Sequence, residues 1–117
     1  MDGLSQYEKD IRPWGGYERF TLNESSSVKL ITVTEGEEFS LQTHEHRDEF
    51  WRIINGMGTV WVGGEAKEVN PGDTFFITHG TQHRAKGGIG GLLFLEIAFG
   101  TFDEKDIVRL EDKYGRI

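Results

Sequence analysis

The chain has no cysteine and only two prolines among its 117 residues. Without cysteine there are no disulfides, no thiolate ligands and no thiol nucleophile. A bound metal must then use His, Glu, Asp, Gln or water, a donor set that suits Zn, Mn, Fe, Co or Ni without choosing among them. Basic runs are also missing. The net charge is −7 and the pI is near 5.0, which argues against nucleic acid and anionic membranes as partners, since both need clustered Lys and Arg. No apolar stretch approaches the ~20 residues of a membrane span. Met1-Asp2-Gly3 lacks the charged and apolar regions of a signal peptide. A cytoplasmic protein that touches no membrane is the expectation.

Sixteen glycines are present, and they divide the chain into short alternating segments. Strands are expected at Tyr17–Leu22, Val28–Thr34, Phe39–His44, Glu49–Asn55, Gly58–Val62, Ala66–Val69, Thr74–Thr78, His83–Lys86 and Leu92–Phe99, with a last extended segment at Ile107–Leu110. Asn55-Gly56 reads as a hairpin turn. Gly87-Gly88-Ile89-Gly90-Gly91 reads as a loop, and Asp103–Asp106 as a short helical turn. In Val28–Thr34, Val28, Leu30 and Thr32 share one face and Lys29, Ile31 and Val33 the other. Many short strands with glycine turns and almost no helix predict one all-β domain, a sandwich or barrel. Its parts are an irregular or helical arm over about 1–13, a barrel over about 14–100 and a tail over about 101–117. Trp14 is expected to close one end of the core.

The densest chemistry lies in Gln42-Thr43-His44-Glu45-His46-Arg47-Asp48-Glu49. Residues two apart on a strand share a face, so Gln42, His44 and His46 would point together. Glu49 would return from the next strand and His83 would come from a third. Side chains from three strands, carrying nitrogen, amide and carboxylate donors, suit a metal inside a barrel, with positions left for water or substrate. Two ligand sets are open: Gln42, His44, Glu49 and His83, or His44, His46, Glu49 and His83. His79, Glu45 and Asp48 read as surface and turn groups.

The spacing of Gly36, Gln42, His44, Glu49 and Gly56 resembles the first signature motif of the cupin family. Pro71-Gly72-Asp73 with Gly80 and His83 resembles the second. The resemblance implies a double-stranded β-helix, or jelly-roll, barrel, and it favours the ligand set with Gln42 over the one with His46. Longer blocks are similar to the type II phosphomannose isomerase domain: Arg12-Pro13-Trp14-Gly15-Gly16-Tyr17-Glu18, Val28–Val33, Ser40–Trp51 and Asp106–Arg116. In many relatives that domain follows a mannose-1-phosphate guanylyltransferase domain, for which this chain has no residues to spare. Phe50 stands where the family commonly has His, Thr78 where it has Pro and Ala98 near a usual polar residue. The Thr78 departure concerns turn geometry, while those at Phe50 and Ala98 are expected to take polar groups from around the pocket, which implies a changed substrate or a fold retained for another use.

The resemblance implies interconversion of mannose 6-phosphate and fructose 6-phosphate through an enediol, with a divalent metal as Lewis acid. Arg47, beside the ligands, is the first candidate for anion or enediolate contact, and Arg116 follows by resemblance. His46 and Glu96 are candidates for the base. Glu96 lies in an apolar strand, where a carboxylate is costly unless it faces a polar cavity. Another metal-dependent cupin reaction, dioxygenase or lyase, and a non-catalytic sugar-binding barrel are the alternative readings. The expected partners are a small sugar or sugar phosphate and a second copy of the chain, because small barrels tend to pair through exposed strands.

Overall fold

The computed structural model describes residues 3–116; the first two residues of the expected arm and the last of the expected tail lie outside them. Nine strands form, with no helix among the described residues: β1 (Glu8–Arg12), β2 (Gly15–Arg19), β3 (Ser26–Val33), β4 (Leu41–Thr43), β5 (Arg47–Val62), β6 (Glu65–Val69), β7 (Thr74–Ile77), β8 (His83–Gly100) and β9 (Val108–Glu111). The all-β expectation holds. The opening arm is not irregular or helical throughout, because β1 pairs antiparallel with β2 around a turn at Pro13-Trp14. Proline fixes the backbone of that turn, and Trp14 sits at its tip, 73% exposed. It closes no core.

Two long strands organise the remainder. β5 and β8 run antiparallel to each other over nearly their whole length. The first half of β5 also pairs with β7, and its second half with β6. The second half of β8 pairs with β3, while its start meets β4, which in turn pairs with β9. Each long strand therefore serves two neighbourhoods of the barrel. The expected hairpin at Asn55-Gly56 and the expected loop at Gly87–Gly91 are both interior to these strands. The reason is visible at Gly56, which has φ +90° and lies against the Gly91 carbonyl with no room for a Cβ. The register shifts between Ile53 and Asn55 and again between Gly56 and Gly58. The glycines make bulges that bend paired strands rather than turns that end them. Asp103–Asp106 is a turn without a helix.

The interior is one cluster drawn from both halves of the long strands. It contains Trp51, Ile53 and Val60 from β5, Ala85, Leu92 and Phe94 from β8, and Val33, Val69 and Ile77 from their neighbours. In β3 the face of Lys29, Ile31 and Val33 turns inward, while Val28 and Leu30 are exposed. A second cluster of Leu4, Phe50 and Ile97, with Tyr7 and Phe20, packs outside the sheet. Phe50 belongs to this outer layer, 5.5 Å from Phe20 between ring centres. Strand alternation sets Glu49 and Trp51 inward and Phe50 outward. The Phe50 departure therefore takes no polar group from the interior.

Candidate functional site

Three strands deliver one buried donor cluster. His44 follows the end of β4, Glu49 lies in β5, and His83 opens β8. All three are buried, and a donor atom from each lies within 4.8 Å of the others. The Nε2 of His44 is 3.3 Å from Glu49 Oε2, and the Nε2 of His83 is 3.8 Å from Glu49 Oε1.

Hydrogen bonds at the far side of each ring fix the tautomers. His44 Nδ1–H donates to the Asp106 carbonyl at 2.6 Å, and His83 Nδ1–H donates to the Thr81 carbonyl at 2.9 Å. A carbonyl only accepts, so Nδ1 of each ring carries a proton, and in the neutral ring Nε2 then turns a lone pair toward the carboxylate. The Nε2 of His83 is buried with no hydrogen-bond partner. Burial pushes the His83 imidazole below its ordinary range and favours the neutral ring. Two neutral nitrogens and a carboxylate facing one another repel unless a cation lies among them. This donor set fits a metal ion.

Glu49 is held from several directions. Trp51 Nε1–H donates to Oε1 and Arg47 Nε–H to Oε2, both at 3.0 Å. Burial works to raise the Glu49 carboxyl, but neighbouring positive charge and the hydrogen bond from the Arg47 guanidinium outweigh it and hold the group below its ordinary range. Arg47 also donates to His44 Nε2 at 3.2 Å and to the Asp103 carbonyl at 3.3 Å, and its guanidinium lies 4.5 Å from the centre of the Phe102 ring.

A cavity of about 160 Å³ opens beside the cluster, lined by Gln42, His44, Arg47, Glu96, Lys29 and Arg109 among others. Two wider grooves, about 480 and 410 Å³, lie along the β1–β2 hairpin and near the C-terminal segment. Neither is lined by a residue of the cluster, so size alone does not mark the chemistry. Gln42 faces His83 across the β4–β8 register, and its Oε1 accepts from Ser40 Oγ at 2.9 Å. Glu96 is buried opposite Lys29 in the β3–β8 register, with its Oε1 lacking a partner. Burial and the neighbouring Glu49 charge push the Glu96 carboxyl up to about 7.

Six of the eight residues singled out in the sequence thus meet in one place: Gln42, His44, Arg47, Glu49, His83 and Glu96. The other two lie elsewhere. His46 is 68% exposed and sits beside Glu45, lining a separate surface groove. Arg116 is exposed, bonds Asp112 at 2.7 and 3.0 Å, and lines the groove of about 410 Å³ with Tyr114 and Glu37. His79 is exposed as expected. Asp48 is not a free turn charge, because it is half-buried and accepts from the His79 backbone at 2.8 Å.

Sequence reasoning passed over Lys29, Arg109, Trp51 and Asp106. The last of these orients His44 by its carbonyl while its carboxylate accepts from the Glu45 and His46 backbone. Lys29 carried a signal: it is the one charge on the β3 face that also carries Ile31 and Val33.

Residues 2–112 match the family described as mannose-6-phosphate isomerase C-terminal. The chain is similar to the mannose-1-phosphate guanylyltransferase ManC of Salmonella typhimurium, with 38% identity over 91% of this chain and 22% of that protein. It is also similar to the xanthan biosynthesis protein XanB of Xanthomonas campestris, with 38% identity over 94% of this chain and 24% of that protein. The chain thus spans less than a quarter of the length of these curated relatives. Among solved structures, a cupin protein from Bacteroides fragilis superposes with a TM-score of 0.59 at 20% identity, covering 65% of this chain and 66% of that one. This likeness supports the barrel fold.

Proposed function

The chain belongs to the mannose-6-phosphate isomerase C-terminal family, and on that premise we propose that it is a metal-dependent sugar-phosphate isomerase interconverting mannose 6-phosphate and fructose 6-phosphate. The observation that carries the reading is the pairing of two features in one barrel mouth. One is a buried donor cluster that fits a cation, and the other is a buried carboxyl group, Glu96, with an unpartnered oxygen in the adjoining cavity.

His44, Glu49 and His83 would hold a divalent ion, with Gln42 beside them as a fourth donor. Bound there, the ion supplies Lewis-acid polarisation of the sugar oxygens. The chain's own groups supply the remainder. Glu96 takes the proton from C2 of the open-chain aldose and returns it to C1 of the enediol, while the hydroxyl proton of O2 is released and O1 is protonated, so the net change is one hydrogen moved from C2 to C1 and one from O2 to O1. A bound cation favours the carboxylate form of Glu96, the form that accepts the C2 proton. Arg47 holds the Glu49 carboxylate in place and presents its positive charge to the cavity. Neither His46 nor Arg116 lines that cavity, so neither is assigned a step.

Incubation with mannose 6-phosphate in D2O, with Zn, Mn, Fe, Co or Ni supplied in turn, should yield fructose 6-phosphate and place deuterium at the exchanging carbon. No conversion with any of the five ions would sink the isomerase reading.

We place the protein in the cytoplasm. No helix among the described residues is long and apolar enough to cross a membrane, and the relatives named above are a mannose-1-phosphate guanylyltransferase and a xanthan biosynthesis protein. A homodimer through β3 accompanies this reading. β3 is paired on one side only among the described strands, and it exposes Val28 and Leu30. A monomer mass by light scattering across a wide concentration range would refute the dimer.

A further inference from the structure

Three cationic side chains line the cavity beside the donor cluster, and they differ in what they already hold. Arg47 is tied to the protein with or without an ion: its Nε donates to Glu49 and its Nη1 to the Asp103 carbonyl, its Nη2 lies against His44 Nε2, and its guanidinium carbon is 4.5 Å from the centre of the Phe102 ring. Lys29 lies over the same ring at 4.5 Å and pairs with Glu104 at 3.3 Å. Arg109 is different. Its side chain has no hydrogen bond or ion pair among the described residues, and its Nε is buried without a partner.

Position and alternation say where that guanidinium goes. Arg109 lies on β9 between the exposed Val108 and Leu110, which face outward. Arg109 itself takes the other face and lines the cavity, opposite Gln42 in the β4–β9 register. Glu96 comes from β8, and Lys29, from β3, lies opposite it in register. The cavity thus has a guanidinium contributed by β9 and a carboxyl group contributed by β8.

A buried guanidinium nitrogen without an acceptor costs free energy. The natural acceptor is one that arrives with the ligand, and the planar fork of an arginine matches a phosphate by two parallel N–H···O bonds. We propose that Arg109 is the phosphate-binding residue of this cavity, gripping the phosphate dianion of a sugar phosphate at the β9 end while the sugar carbons reach toward Glu96 and the donor cluster. This rests on the sugar-phosphate reading above and sharpens it. It moves the anion contact from Arg47 and Arg116, both already bonded to carboxylates, to a residue that sequence reasoning left unassigned.

The test uses the full chain loaded stoichiometrically with zinc, titrated calorimetrically with inorganic phosphate, mannose 6-phosphate and mannose. Arg109→Met should weaken inorganic phosphate and mannose 6-phosphate roughly ten- to a hundredfold, the scale expected for lost bonds to a charged group. Its affinity for mannose and for zinc should stay at the wild-type level. Arg109→Lys, which keeps the charge and loses the fork, should fall between the two. In the wild type, the Arg109 Nε–H NMR resonance should shift on adding inorganic phosphate, a readout that needs no variant to fold. Unchanged phosphate affinity in Arg109→Met, no phosphate binding by the wild type, or an unmoved Nε–H resonance would each overturn the proposal. Phosphate binding through Arg109 without any isomerisation would leave this site standing and remove the isomerase. Isomerisation indifferent to Arg109→Met would do the reverse.

Discussion

Arg47 and Glu49 form a buried ion pair at 3.0 Å, and the same guanidinium donates to His44 Nε2. A side chain that satisfies two donors of the cluster makes the stability of the fold depend on both the arginine and any bound cation. Arg47→Met should destabilise EDTA-treated protein by about 3–5 kcal/mol, because it strands a buried carboxylate. Saturating zinc should restore much of that loss by compensating the same charge. Urea unfolding with and without zinc reads both numbers. An equal loss in the two conditions would separate Arg47 from the donor cluster.

The orphaned Nε2 of His83 makes a second prediction. Metal-loaded wild type should melt above EDTA-treated wild type, by a margin that grows with free ion. At a hundred times Kd the gain is about 2.7 kcal/mol. His83→Ala should lose that metal-dependent shift and most of its bound ion by elemental analysis. A wild-type melting temperature indifferent to all five candidate ions would contradict the assignment of a metal to this cluster.

Glu96 gives a pH dependence with a definite sign. Its carboxyl titrates near 7 in the fold against an ordinary value of 4.5. Below 4.5 both folded and unfolded chains hold the proton, so the group costs nothing. Between 4.5 and about 7 the unfolded chain releases the proton first, and stability falls as pH rises. Above 7 the loss is constant, roughly 3 kcal/mol in total. Glu96→Gln should flatten that stretch of the stability–pH curve in EDTA-treated protein. A bound cation lowers the Glu96 pKa, so loading the metal should shrink the slope in the wild type.

How much of this was legible from residues alone follows from the range of the interactions involved. The donor cluster was readable because Gln42, His44 and Glu49 are close in sequence and alternation fixes their faces. Glu96 was readable because a carboxylate inside an apolar strand needs a reason. His46 was misleading because β4 ends at Thr43, so strand alternation does not carry that far; Arg116 was misleading because a partner four residues away, Asp112, holds it outside the cavity. Arg109 and Asp106 were not readable as site residues. Their roles depend on β9 folding back beside β4, a pairing between segments more than sixty residues apart. Phe50 was misread for the opposite reason, since the alternation that placed Glu49 inside also places its neighbour outside.

Asn55-Gly56 is the clearest case where local chemistry and the fold part company, and it makes a sharp test. As the second residue of a hairpin turn, Gly56 would tolerate Ala at a moderate cost from its left-handed backbone. Within the β5 bulge the same substitution meets two obstacles. The φ of +90° is poorly suited to a Cβ, and the Gly91 carbonyl of β8 fills the space where that Cβ would go. Relief would require parting β5 from β8, the pair that carries both Glu49 and His83. Gly56→Ala should therefore cost about 3 kcal/mol or more, combining backbone strain with overpacking. It should also weaken metal binding, although residue 56 lies outside the cavity. Gly63→Ala is the matched control, with φ +63° and open space around its Cβ position. It carries the backbone strain without the clash, so it should cost less and leave metal affinity unchanged. Chemical denaturation and zinc titration of the two variants measure the difference. Equal costs would mean that the contact with Gly91 contributes nothing.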